Sequence, residues 1–206
     1  LYTKEMIAEF ARKHRVCPFE LSLDVSNYVD IVIADYNYAF DPLVHLMRYF
    51  DDSVYSPILL VDEAHNLVSR SRDMFSATLT RDHFVLLDGI VKFLKPSPKK
   101  EIERILDLFD EYDTELLEVD FVRKETVNEY LIAALKRLLV RLDQILTESE
   151  KIPNKKDLTA VYFDIYLFNK IYELYNDRFV FLLEKVDGVV NVSIKCLNAS
   201  GFILDT

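Results

Sequence analysis

A mixed α and β protein is expected, and three features of the sequence predict it. Two aliphatic, β-prone runs stand at 29–34 (VDIVIA) and 58–61 (ILLV). Long stripes of apolar residues at helical spacing fill about 80–175. An Asp187-Gly188 pair divides two β-rich runs, RFVFLLEKV and VVNVSIKCL, near the end of the chain. Together they predict part of an open α/β sheet, a large all-helical insertion and a β-hairpin returning to the first layer. The helical block falls at about 80–175.

Each element has its own warrant. Over 2–15 the pattern is helical, with Thr3 as N-cap and Ile7 and Phe10 on one face; Pro18 stops the helix. The run 29–34 reads as a buried strand. Asp41 as cap and Pro42 at the first helical position predict a helix through VHLMRYF. The run 58–61 reads as a second buried strand, so the order is strand, helix, strand. Beyond it, Ile102, Ile105, Leu106, Phe109 and Leu116 form one stripe. Val127, Leu131, Ala134, Leu138, Leu142 and Ile145 form another. Leu158, Val161, Ile165, Phe168, Ile171 and Tyr175 form a third. The segments KPSPKK (95–100) and IPNKKD (152–157) read as loops between these helices.

Composition narrows the function. Of 206 residues, 50% are hydrophobic and 29% charged, as in globular proteins. No apolar run reaches the roughly 20 residues that cross a bilayer. The net charge of −10 argues against binding nucleic acid by bulk attraction, while leaving room for a local basic strip. Cys17 and Cys196 match no disulfide framework, and a reducing cytoplasm is expected. The N-terminus is charged and mixed, so no secretory leader is expected. It begins with Leu rather than Met, which suggests a piece of something longer. A monomer is expected. Three glycines, Gly89, Gly188 and Gly201, leave no G-x-x-x-x-G-K-[ST] phosphate loop. No H-E-x-x-H pattern supports a zinc protease.

The chemistry concentrates at one place, where ILLV runs directly into Asp62, Glu63, Ala64 and His65. In open α/β sheets, ligands bind at the carboxyl ends of strands. An aspartate there can hold Mg²⁺, and a neighbouring carboxylate can orient or deprotonate a water. His65 could sense a phosphate and pass that state on. The other reading is that Asp62 caps a helix and Glu63 favours its first-turn dipole. The two readings weigh about evenly on the residues alone.

LLVDEAHNL resembles the DEAH box, the Walker B motif of superfamily 2 helicases. VCPFELSLD followed by VDIVIADYNYAFDP resembles the XPD/DinG iron–sulfur helicases, and IKCLNASGFI resembles their strand returning to the first motor domain. The resemblance implies that 1–24 is the tail of the cluster domain and 25–79 part of motor domain 1. It makes 80–175 the helical arch and 176–206 the return to the motor. It implies that Asp62 coordinates Mg²⁺, Glu63 activates the hydrolytic water and His65 couples hydrolysis to DNA grip. Cys17 would be one ligand of a 4Fe–4S cluster. The function implied is a 5′-to-3′ ATP-dependent DNA helicase of repair or replication that threads single-stranded DNA. Protein partners could dock on the arch. The phosphate loop, three cluster cysteines, motif III and the second motor domain are missing. The chain by itself is therefore expected to hydrolyse no ATP and to hold no cluster.

Other candidates carry two readings each. Tyr36, Tyr38 and Phe40 either stack on bases or form one packed face. Arg70 and Arg72, and the run Arg12, Lys13, His14 and Arg15, either contact phosphates or are solvated. His14, His45 and His83 have no metal-ligand spacing, and Cys196 reads as core. The rival function is a non-catalytic helical protein-interaction module.

Overall fold

The computed structural model describes residues 2–44, 46, 49–50, 58–92, 94, 97–149 and 151–204. It divides into two compact units, Leu1–Asp35 and Tyr36–Thr206.

The first unit holds α1 (Lys4–His14) and α2 (Pro18–Ser26). The Thr3 hydroxyl accepts the Met6 N–H, as a threonine N-cap does. Arg15 ends α1 in the left-handed region, and its N–H closes on Ala11 O. Pro18 does more than stop α1. It occupies the first turn of α2, where its missing N–H has no intrahelical partner to lose. The apolar pattern does not announce that second helix. The predicted face of α1 buries little: Ala11 is its buried residue, and Phe10 is exposed.

The two predicted buried strands are not formed. Residues 29–34 and 58–61 carry no ladder hydrogen bonds, and Ile33 and Leu60 are 90% and 93% exposed. A buried strand exists only when neighbours satisfy both its edges and cover both its faces. Among the described residues neither run has such neighbours. The helix expected from Pro42 falls partly on residues 45, 47 and 48, outside those described. Pro42–Val44 form a turn, and Asp41 Oδ1 accepts the N–H groups of Leu43 and Val44. His45 and residues 95 and 96 of the 95–100 loop also lie outside the described residues, while Lys99 and Lys100 already belong to the helix that follows.

The second unit begins with α3 (Asn37–Phe40), a 3-10 turn at Ala64–Asn66 and α4 (Leu67–Met74). Its core lies between a four-stranded antiparallel sheet and four helices. The sheet has the order β1-β4-β3-β2, from β1 (Ala77–Thr80), β2 (Phe121–Lys124), β3 (Phe179–Val186) and β4 (Val189–Cys196). The helices are α5 (Arg81–Val91), α6 (Lys99–Glu115), α7 (Glu129–Glu148) and α8 (Lys155–Glu173); each packs on the next, and α8 returns to α5. A short α9 (Ser200–Leu204) follows the sheet.

The hairpin is as predicted. Val186 pairs with Val189 across a two-residue loop. Asp187 at φ 50° and Gly188 at φ 80° supply the two left-handed positions of a type I′ turn. Alternation then sends Phe179, Phe181 and Leu183 of β3, and Val190, Val192, Ile194 and Cys196 of β4, into the core. The hairpin's partners are β1 and β2, neither of which the sequence predicts. β2 shows that the block 80–175 is not all-helical. Its four residues, Phe-Val-Arg-Lys, are too few and too charged to announce a strand without a partner.

The three helical stripes hold up. Ile102, Ile105, Phe109 and Leu116, the whole second series and Leu158 through Ile171 are buried. Leu106 and Tyr175 sit at the margin of the core. Three ion pairs tie the acidic end of α6 to its surroundings: Asp110 with Arg81, Asp113 with Lys185 and Glu115 with Lys124. All are partly exposed, so each contributes at most about 1 kcal/mol.

Candidate functional site

Asp62 and Glu63 stand at the end of the extended 58–61 run, where the chain turns sharply. Asp62 Oδ1 accepts the Glu63 N–H at 2.8 Å. Glu63 lies in the left-handed region at φ 49°, ψ 40°. A non-glycine residue there is uncommon, and such strain gathers at functional turns. Asn66 N–H then closes on Glu63 O at 2.9 Å, and α4 follows at once.

The helix-cap reading of the acid pair does not describe this turn. Asp62 reaches back to its own neighbour rather than into the first turn of a helix. Asn66 precedes α4 without a side-chain cap bond. Glu63 instead meets His65, with Oε2 and Nδ1 3.3 Å apart. Both side chains are well exposed, at 66% and 73%. The two carboxylates and the imidazole thus share one open turn. Its groups can bind a cation, hold a water and exchange a proton, and they face solvent.

Arg70 and Tyr36 are also brought together. Arg70 Cζ lies 5.8 Å from the centroid of the Tyr36 ring, within cation–π range. Tyr36 sits at the foot of α3, and Arg70 rides on α4. No sequence pattern announces a contact between residues so far apart. Arg72 is placed elsewhere, near Cys196. Burial pushes the Cys196 thiol up; a backbone hydrogen bond and the charges of Arg72 and Arg178 pull the other way. Tyr38 is half-buried, and its carbonyl accepts the Leu46 N–H at 2.8 Å. The Tyr-x-Tyr-x-Phe alternation is not a strand face. Residues 37–40 are one helical turn, so Tyr36 and Tyr38 do not share a side. Phe40 is core.

Cys17 is exposed at the start of α2 in the first unit. A 4Fe–4S cluster takes four thiolates. The chain has two cysteines, and Cys196 is buried in β4. The residues present therefore do not make up a cluster site. Asp62 does fit a hard cation, which takes one or two carboxylates and fills its other positions with water and phosphate oxygens. Among the described residues, no group of three or more His, Cys, Asp or Glu side chains could enclose a metal alone. Arg12 and Lys13 lie in the last turn of α1, where cations complement the negative end of the helix dipole, and His14 lies beside them. His14 also stacks on Phe10 at 4.2 Å. Among the described residues, no helix is long and apolar enough to cross a membrane.

The comparisons bear on this stretch, where an aliphatic run delivers D-E-A-H into an open turn. Residues 1–84 match the family DEAD_2. The chain is 37% identical over 68 residues to the general transcription and DNA repair factor IIH helicase subunit XPD of Dictyostelium discoideum. That alignment covers 32% of this chain and 8% of the relative. A regulator of telomere elongation helicase 1 homolog of Aedes aegypti is 25% identical over 142 residues, covering 68% of this chain and 12% of the relative. Its homolog in Caenorhabditis elegans is 26% identical over 151 residues, 72% of this chain and 14% of the relative. The likeness to DEAD_2 is thus confined to residues 1–84, the part of the chain that carries the D-E-A-H turn. It spans about a tenth of the length of these relatives.

Proposed function

We propose that this chain is a segment of an ATP-dependent DNA helicase with 5′-to-3′ polarity, acting in repair or replication. One observation carries the reading. In the stretch matching DEAD_2, Asp62 and Glu63 occupy adjacent positions of an open, strained turn at the end of an aliphatic run. In the full-length protein Asp62 would hold Mg²⁺ beside the nucleotide phosphates, and the metal would supply charge neutralisation there. Glu63 orients the attacking water and takes its proton. His65, within reach of Glu63, links that turn to the strand-gripping region that carries Tyr36, Tyr38, Arg70 and Arg72. Cys17 supplies one cluster ligand. The exposed runs 29–34 and 58–61 would become central strands of motor domain 1, which accounts for so much bare aliphatic surface here. The block 80–175 would form the arch, a surface on which protein partners could dock.

The test is Glu63→Gln in the full-length protein. ATP binding should persist, and turnover should fall by several hundredfold or more, as removal of a positioned general base does. Turnover at the wild-type rate would remove Glu63 from the mechanism.

A further inference from the structure

We propose that Tyr36 is a positioning residue: its ring holds the Arg70 guanidinium in place, and Arg70, not Tyr36, touches the nucleic-acid strand. This rests on the DNA-binding reading above and replaces base stacking by Tyr36. The geometry begins with the 5.8 Å approach of Arg70 Cζ to the ring centroid. Tyr36 is half-buried, while Arg70 is exposed. The face of the ring that the cation covers is closed to a base. Tyr38 offers no second platform, because the helical turn 37–40 sends it to another side.

A guanidinium has a use for this arrangement. Its five N–H donors lie in its own plane, so a group held through its face keeps those donors available to a phosphate. Arginine otherwise loses much rotamer freedom when it binds. A ring that holds it beforehand removes part of that loss. α3 and α4 pack together, so the two side chains are carried by elements already in contact. α4 also starts directly from the turn bearing Glu63 and His65. Arg70 is thus the cation nearest in sequence to that turn, and Tyr36 fixes its place.

The test measures binding of oligo(dT) by the full-length protein over a range of salt concentrations. Each phosphate contact to a single strand adds about 0.7 to the slope of log affinity against log salt. Arg70→Ala should lower the slope by about that amount. Tyr36→Leu, which keeps bulk but loses the π face, should weaken binding about twofold to fivefold and lower the slope in the same direction. Tyr36→Phe should restore both. In the Arg70→Ala background, Tyr36→Leu should have no further effect. If Tyr36→Leu weakens binding at an unchanged slope, or weakens it equally without Arg70, Tyr36 contacts the strand itself and the proposal is overturned. Failure of the wild-type protein to bind would overturn the DNA-binding reading and this inference with it. Thermal melting of Tyr36→Leu checks that the variant is folded.

Discussion

Phe84 and Phe109 meet with ring centroids 5.4 Å apart and planes tilted by 44°, and neither is exposed to solvent. This aromatic contact fastens α5 to α6 at the middle of the core. Tyr112 extends it edge-on from Phe109 at 6.1 Å. Phe109→Ala would empty a space with neighbours on every side, which costs about 3–5 kcal/mol. Urea unfolding of the chain should show that loss. A loss under about 1 kcal/mol would mean that α6 can collapse onto the gap.

Gly188 is held at φ 80°, a region where a Cβ is strained even in open space. Gly188→Val should therefore destabilise the hairpin by about 1–2 kcal/mol. Gly89 lies inside α5, with open space where a Cβ would project. Gly89→Ala should stabilise by about 1 kcal/mol. The two changes make an internal control, read from the midpoints of one denaturation series. Equal effects of the same sign would contradict the turn assignment.

Tyr112 gives the fold an alkaline limit. Burial pushes its hydroxyl pKa up to about 12, the charges of Glu115 and Glu111 push the same way, and the neighbouring Asn128 offsets only part. Between pH 10 and about 12 the unfolded chain loses this proton while the folded chain keeps it. Stability from this group is therefore complete below pH 10 and is lost as pH rises towards about 12. Denaturant midpoints across that window should fall less steeply in Tyr112→Phe than in the wild type. Parallel curves would place the phenol in water.

Cys17 bears on the proposed cluster. In the full-length protein, Cys17→Ser should lower iron and acid-labile sulfide content together. The isolated chain should hold neither. Undiminished content in the variant would take Cys17 out of the ligand set.

The helical core is legible in the sequence because its period is local. Leu131, Leu138, Leu142 and Ile145 repeat along one helix, and burial follows from that repeat alone. The hairpin is legible because Asp187-Gly188 specifies its own turn. β1 and β2 are not, since Ala77–Thr80 and Phe121–Lys124 become strands through pairing with β4 and β3. The reverse error has the same origin. VDIVIA and ILLV have strand composition but no partner among the described residues, and composition cannot supply one. At the site, D-E-A-H marks the turn. The left-handed Glu63, its approach to His65 and the Arg70–Tyr36 contact are matters of three-dimensional placement.

The bare aliphatic runs have a practical meaning for handling the chain. β2, at the edge of the sheet, carries Arg123 and Lys124, charges that discourage another strand from adding there. The runs 29–34 and 58–61 carry just one charge, Asp30, and present Ile31, Ile33, Ile58 and Leu60 to water. Short, sparsely charged, β-prone segments of this kind pair with their copies when nothing else is offered. Loss of material at high concentration should therefore begin at these two runs, while the helical core is still folded.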